Sequence, residues 1–193
     1  MGREHTKAGQ LRHRVDLQKL TTTRDATYNT NTSTWNTVAV LRAAVVPVNG
    51  REFFEAKQVA ADVSHKVQLR YYPNITSTVH RFLAPKEYTT LSAAIEDTNN
   101  GVISLTDTSF FVEADEASGP TTDYILRVDS EDMIVKFGSS TVTTTTRGAF
   151  NTTAATHANG AVVTLLGEMH IVWIDNVDTR NRRLNLFCKE ATI

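Results

Sequence analysis

Histidines are the first residues in this chain whose type invites chemistry, and their spacing argues against a metal. His5, His13, His65, His80, His157 and His170 contain no pair at i, i+3 or i+4. Those separations would bring two imidazoles together for zinc, and no cysteine joins them. Two acidic runs, Glu113-Ala114-Asp115-Glu116 and Asp129-Ser130-Glu131-Asp132, offer the oxygens calcium takes. Neither follows a calcium-loop pattern with its required glycine, so both read as solvated turns. Nothing selects two carboxylates as an acid and base pair across a glycosidic bond. Cys188 is the only cysteine; it falls in a strand-like segment and reads as a buried core thiol. The chain has neither a Gly-x-Ser-x-Gly nucleophile turn nor a glycine-rich phosphate loop. The expectation is a protein that is not an enzyme, with no metal and no cofactor.

Cations are the remaining chemistry-bearing groups. Arg3, Lys7, Arg12 and Arg14 make the N-terminal segment positive, and Arg180, Arg182 and Arg183 crowd a segment near the other end. Net charge is -1 and the isoelectric point is near 6.6. There is no global basic excess, so any contact with nucleic acid has to come from a local patch. These seven residues read as either interface-forming or DNA-facing.

The elements that must hold these groups are mostly strands. Threonine is clustered, as in Thr21-Thr22-Thr23 and Thr143-Thr144-Thr145-Thr146; a β-branched side chain with a hydroxyl suits a half-exposed strand. Residues 14–22 and 35–46 predict strands, the second closed by Pro47 and the Asn49-Gly50 turn signal. Val63, His65, Val67, Leu69 and Tyr71 alternate with polar residues at a period of two. A short strand is expected at 79–83, and a hairpin joins 169–174 to 184–188. One helix is predicted, over 51–61: good helix formers carry Phe53, Ala56 and Ala60 on one stripe, with Asn49 as cap. Between these parts, residues 86–166 are rich in Thr, Ala, Asp and Asn, with short strands at 102–105, 124–128, 133–137, 141–146 and 161–165. The N-terminal residues are polar and contain no apolar run, which reads against a signal peptide. No apolar stretch is long enough to span a bilayer. A soluble protein with a flexible arm over residues 1–13 is expected.

Several segments, taken in order, resemble the head-tail joining (head-closure) family of long-tailed phages. They are Gly9-Gln10-Leu11-Arg12-His13-Arg14-Val15, then Trp35-Asn36-Thr37-Val38-Ala39, then Pro47-Val48-Asn49-Gly50-Arg51-Glu52-Phe53-Phe54-Glu55-Ala56. The pattern continues through residues 61–71, Ile75 and Arg81. It resumes at Gly167-Glu168-Met169-His170-Ile171, Ile174-Asp175-Asn176-Val177-Asp178 and residues 182–190. The intervening stretch is similar to a small β module of phage virion proteins, opened by residues 89–95 and closed by residues 147–163.

The resemblance implies a mainly β protein. A small antiparallel β-barrel core (residues 1–85 and 168–193) would carry a short helix in a long loop, with a β-sandwich-like domain inserted at 86–167. It implies a structural protein of the virion neck, made in the host bacterial cytoplasm. The chain would form a homo-oligomeric ring under the portal and adaptor, with the tail or its terminator protein below. It would touch packaged double-stranded DNA non-specifically and no membrane. Asn49, Gly50, Arg51, Glu52, Phe53, Phe54, Glu55 and Lys57 would face the ring lumen or the adaptor. Another neck or tail-completion role, a carbohydrate-binding module in the inserted domain, and a hydrolase are the alternative readings.

Overall fold

A computed structural model of the chain describes residues 8–24, 29–48, 63–111, 123–138, 140–176 and 181–191. The described structure is mainly β. It divides into two compact units: Met1–Ala84 with Glu168–Thr192, and Pro85–Gly167. The predicted helix over 51–61 lies outside the described residues.

The first unit, here called the core, is built from β1 (His13–Arg24), β2 (Asn31–Pro47), β3 (His65–Arg70), the start of β4 (His80–Thr90), the end of β9 (Val162–Asn176) and β10 (Arg183–Glu190). The strands are neighbours in the order β4-β1-β2-β3-β10-β9, and β9 is in turn a neighbour of β4. The pairings therefore run in a closed circuit, the connectivity of a small antiparallel barrel. Alternation explains why these residues make strands. Val15, Leu17, Ala43, Val67, Leu69, Phe82, Leu184, Leu186 and Cys188 turn inward to one apolar cluster. Arg14, Arg42, Lys66, Arg70 and Phe187, each next to an inward residue, face the other way. Fully buried Leu17, Leu69 and Phe82 each contribute about 1.5–3 kcal/mol of transfer free energy. Register shifts at Leu17/Gln18 and Phe187/Cys188 mark bulges that bend the strands as a closed circuit demands.

The second unit has its own cluster, including Leu91, Tyr124, Leu126, Val128, Met133, Val135, Phe137, Val142 and Val163. Its strands β5 (Val102–Ile103), β6 (Asp123–Val128), β7 (Glu131–Gly138) and β8 (Thr141–Thr146) join the first part of β9 in the order β9-β6-β7-β8-β5. An isolated bridge, Leu91↔Leu105, links the residue after β4 to the segment after β5. The inserted residues thus form one continuous run of strands.

Two predicted strands, 161–165 and 169–174, are a single 15-residue strand, β9. Gly167 does not interrupt it. The predicted hairpin is β9–β10, with Leu184 opposite Asn176 and Leu186 opposite Ile174.

Candidate functional site

All of the residues singled out from sequence for the lumen, Asn49 to Lys57, lie outside the described residues, as do Arg3, Lys7 and Arg180. Arg12, Arg14, Arg182 and Arg183 are described, and the strands give two of them a setting that sequence did not show. Arg14 on β1 stands directly opposite Arg42 on β2. One position beyond the Ala43↔Leu69 pair lie Arg42 and Arg70, and Arg70 on β3 is directly opposite Arg183 on β10. Cross-strand partners share a face. Four arginines therefore form one row across four adjacent strands, on the face turned away from the core cluster.

Arg42 and Arg70 also line one cleft of about 410 Å³, with Tyr71, Tyr72, Leu11 and Val40 around them. Nη1 of Arg42 donates to the Arg12 carbonyl at 3.3 Å, and Nε of Arg12 donates to the Gly9 carbonyl at 3.0 Å. The described end of the basic N-terminal segment is thus tied to the same edge. The backbone N–H of Tyr71 donates to the Arg182 carbonyl at 3.1 Å, which fixes the start of β10 beside it. Arg42 and Arg70 were missed from sequence because nothing local marks them. Each simply occupies the outward phase of an alternating strand, and registering those phases would have found them.

A second row crosses the same face two turns of the pleat away. Val46 is opposite Lys66, Lys66 opposite Phe187, and Phe187 opposite Trp173. Trp173 and Phe187 stack with centroids 5.0 Å apart, and the Lys66 ammonium sits 5.8 Å over the Phe187 ring. Val46 and Trp173 remain 47% and 44% exposed, which is high for a valine and a tryptophan on a β surface.

Arg81 is different from the row. It is buried, it donates to Gln18 at 2.8 Å and pairs with Glu168, and its guanidinium lies 4.4 Å from the Trp35 ring centroid. Burial pulls its proton affinity down, and the Glu168 carboxylate works against that. Held by Gln18, Glu168 and the Trp35 ring, this cation fastens β1, β2, β4 and β9. Burial likewise pushes the Cys188 thiol up to about 12, which makes it a packed, unreactive sulfur.

The second unit corrects one expectation. Asp129-Ser130-Glu131-Asp132 is not a solvated turn throughout, because Glu131 and Asp132 are fully buried. Glu131 shares the strand phase of Met133, Val135 and Phe137, so it points to the core end of β7. There it receives both arms of Arg147 (2.7 and 2.9 Å), the backbone N–H groups of Gly148 and Ala155 (2.9 Å each) and Nε2 of His157 (2.9 Å). Burial alone would raise this carboxyl; the donors outweigh it and hold it at about 2. Asp132 takes a two-pronged pair from Arg127, at 2.7 and 2.9 Å. His157 reaches back to Asp129 at 2.8 Å through Nδ1. The Asp-His-Glu line looks like catalytic machinery, yet the Glu131 oxygens are saturated by five donors. Glu131 thereby fastens the 147–157 segment, with both of its oxygens taken up by that segment's donors. Sequence missed it because Arg147 and His157 are 16 and 26 residues from Glu131. The acidic run at 113–116 lies outside the described residues.

No curated protein matches the chain. Residues 6–106 match the phage head completion protein family. The match takes in β1 to β4 of the core, runs past Pro85 into the second unit and ends just after β5. That family is one of structural phage proteins rather than enzymes, and its members are virion components of the head-tail interface. The chain, carrying the core strands across more than half its length, belongs to the phage head completion proteins.

Proposed function

We propose that this protein is a ring-forming subunit of the phage neck that closes the DNA channel below the portal and adaptor and presents a docking surface to the tail. The observation that carries the reading is the family match over β1–β4, which includes the 49–62 connection between β2 and β3. Long connections between strands are usually functional, and Asn49 to Lys57 are assigned to the lumen or adaptor on that ground. Residues 1–85 with 168–193 are taken as the joining core and 86–167 as an inserted domain.

A closed ring needs two different faces on each subunit, one meeting the other on the next copy. The exposed Val46–Phe187–Trp173 row supplies apolar surface of the kind such a face uses. The basic arm, with Arg3 and Lys7, is assigned to a neighbouring chain, while Arg12 marks where the arm meets its own sheet at Arg42; repeated weak contacts around a circle add up.

Native mass spectrometry of the chain mixed with its adaptor, together with imaging of the virion neck, tests this. A closed ring of copies at the neck is expected. Particles lacking the 48–58 connection should assemble the core yet lose DNA or fail to join tails. Normal phage yield from that deletion, or a monomer absent from the neck, excludes the reading.

A further inference from the structure

We infer that an extended acidic segment of a partner protein adds as a strand to the open edge of β2 in the core, pairing at Val40 and clamped by Arg42 and Arg70. β2 is paired with β1 from Asn31 to Ala43. On its other side, β3 pairs only with Ala43–Pro47. β3 ends at Arg70, and Tyr71 turns its N–H to the Arg182 carbonyl beside β10. Among the described residues, the places opposite Leu41 and Val40, where β3 would continue, hold no strand. The cleft of about 410 Å³ around Arg42 and Arg70 opens there. A single extended chain missing from a sheet leaves an opening of this kind.

The backbone of β2 is aimed into that opening. Val45 donates its N–H to His13 at 3.1 Å, towards β1, and Val48 donates to Ser64 at 2.9 Å, towards β3. Backbone groups alternate sides along a strand, so the even positions face β3. Where β3 has left, Val40 turns its N–H and C=O to the opening. The register shift of β2 lies beyond Ala39 and does not disturb this phase. The Val40 side chain is 51% exposed, although a bare apolar edge is a liability that folds usually cover.

Charge selects the occupant. Arg42 and Arg70 flank the gap, and neither forms an ion pair with a carboxylate among the described residues. Asp16, opposite Val40 on β1, is buried, and no carboxylate lines the cleft. Carboxylates in one phase of an incoming strand meet the two guanidinium forks. Apolar side chains in the other phase pack on Leu41 and Tyr72, which already lean on the core cluster. The chain's own N-terminal segment, with Arg3 and Lys7, has the wrong sign. A duplex meets arginines only from outside and has no strand backbone to offer Val40. Binding is a property of the isolated chain and stands apart from the ring reading.

The test is fluorescence anisotropy of the full-length chain with a labelled, acetylated peptide alternating glutamate and valine over about six residues, the usual length of a strand. Saturable binding is expected, and Arg42→Gln or Arg70→Gln should weaken it about tenfold, the contribution of a charge-assisted hydrogen bond. Val40→Pro removes the donor that faces the opening and spares the β1 ladder, as proline does on an edge. It should abolish binding with little change in melting temperature. The second arm N-methylates the peptide at alternate residues. One phase should destroy binding and the other keep it, since only alternate N–H groups of an added strand face its neighbour. That arm decides if Val40→Pro does not fold. The inference is overturned if the wild-type chain does not bind the peptide, if both N-methyl phases bind alike, or if folded Val40→Pro binds as the wild type does. It is also overturned if a lysine–valine peptide or a mixed-sequence duplex binds more tightly than the glutamate–valine peptide. A wild-type dimer that Val40→Pro converts to a monomer would overturn it too, by giving the edge to a second copy.

Discussion

The outer arginine row of the core and the buried node of the inserted unit treat charge in opposite ways. In the core, arginines from four strands stand side by side on the outer face, and three of them have no carboxylate among the described residues. In the inserted unit, Glu131, Asp132, Arg127 and Arg147 are all buried, and each carboxylate meets a guanidinium fork. A buried charge has to be satisfied internally, because its alternative is a desolvated ion. An exposed row can remain unneutralised, because water screens it until something better arrives. The inserted unit's buried charges hold that unit together, as Arg81 and Glu168 do inside the core, whereas Arg14, Arg42 and Arg70 on the outer row meet no carboxylate among the described residues.

The largest effect should come from Glu131→Ala. It strips the partner from Arg147 and leaves the Gly148 and Ala155 N–H groups unmet, so a loss of about 3–5 kcal/mol in the inserted unit is expected from denaturant unfolding. An effect below about 1 kcal/mol would mean that the node is not what closes this unit. Acid should act through the same group. Its folded proton affinity is depressed to about 2, so its contribution is full above the ordinary carboxylate value. That contribution should drain away as pH falls from about 4.5 towards 2. A melting temperature flat over that window would contradict this.

Gly148→Ala should come next. Gly148 sits at φ +60°, and an added Cβ would lie 2.9 Å from the Ala154 nitrogen. Left-handed backbone and a backbone clash together predict about 1–3 kcal/mol, measured by thermal melting. The smallest effect belongs to the core. Arg42→Gln should change stability by less than about 0.5–1 kcal/mol and could raise it, since it relieves a like-charge pair. A large destabilisation would show that the row is structural.

The alternation of Val63 to Tyr71 and the apolar runs around 171 and 186 were legible because strand phase is local. The extent of β9 was not, since a glycine inside a strand and a glycine ending one look alike in sequence. Arg14 and Arg183 were legible as basic clusters, whereas Arg42 and Arg70 are isolated cations whose company is made by register alone. Glu131 was misread for a related reason. Its acidic neighbours suggested a turn, while its phase with Met133 and Val135 already placed it on the inner face of β7. Charge composition hid what periodicity contained.

Both tryptophans, Trp35 above Arg81 and Trp173 against Phe187, belong to the core, and the inserted unit has none. Emission excited at the red edge of the indole band is therefore blind to the inserted unit, while far-ultraviolet circular dichroism registers both. The chain carries its own two-channel optical readout. In Glu131→Ala an early dichroism transition should precede any change in fluorescence, which separates local opening of one unit from loss of the other without attaching a label.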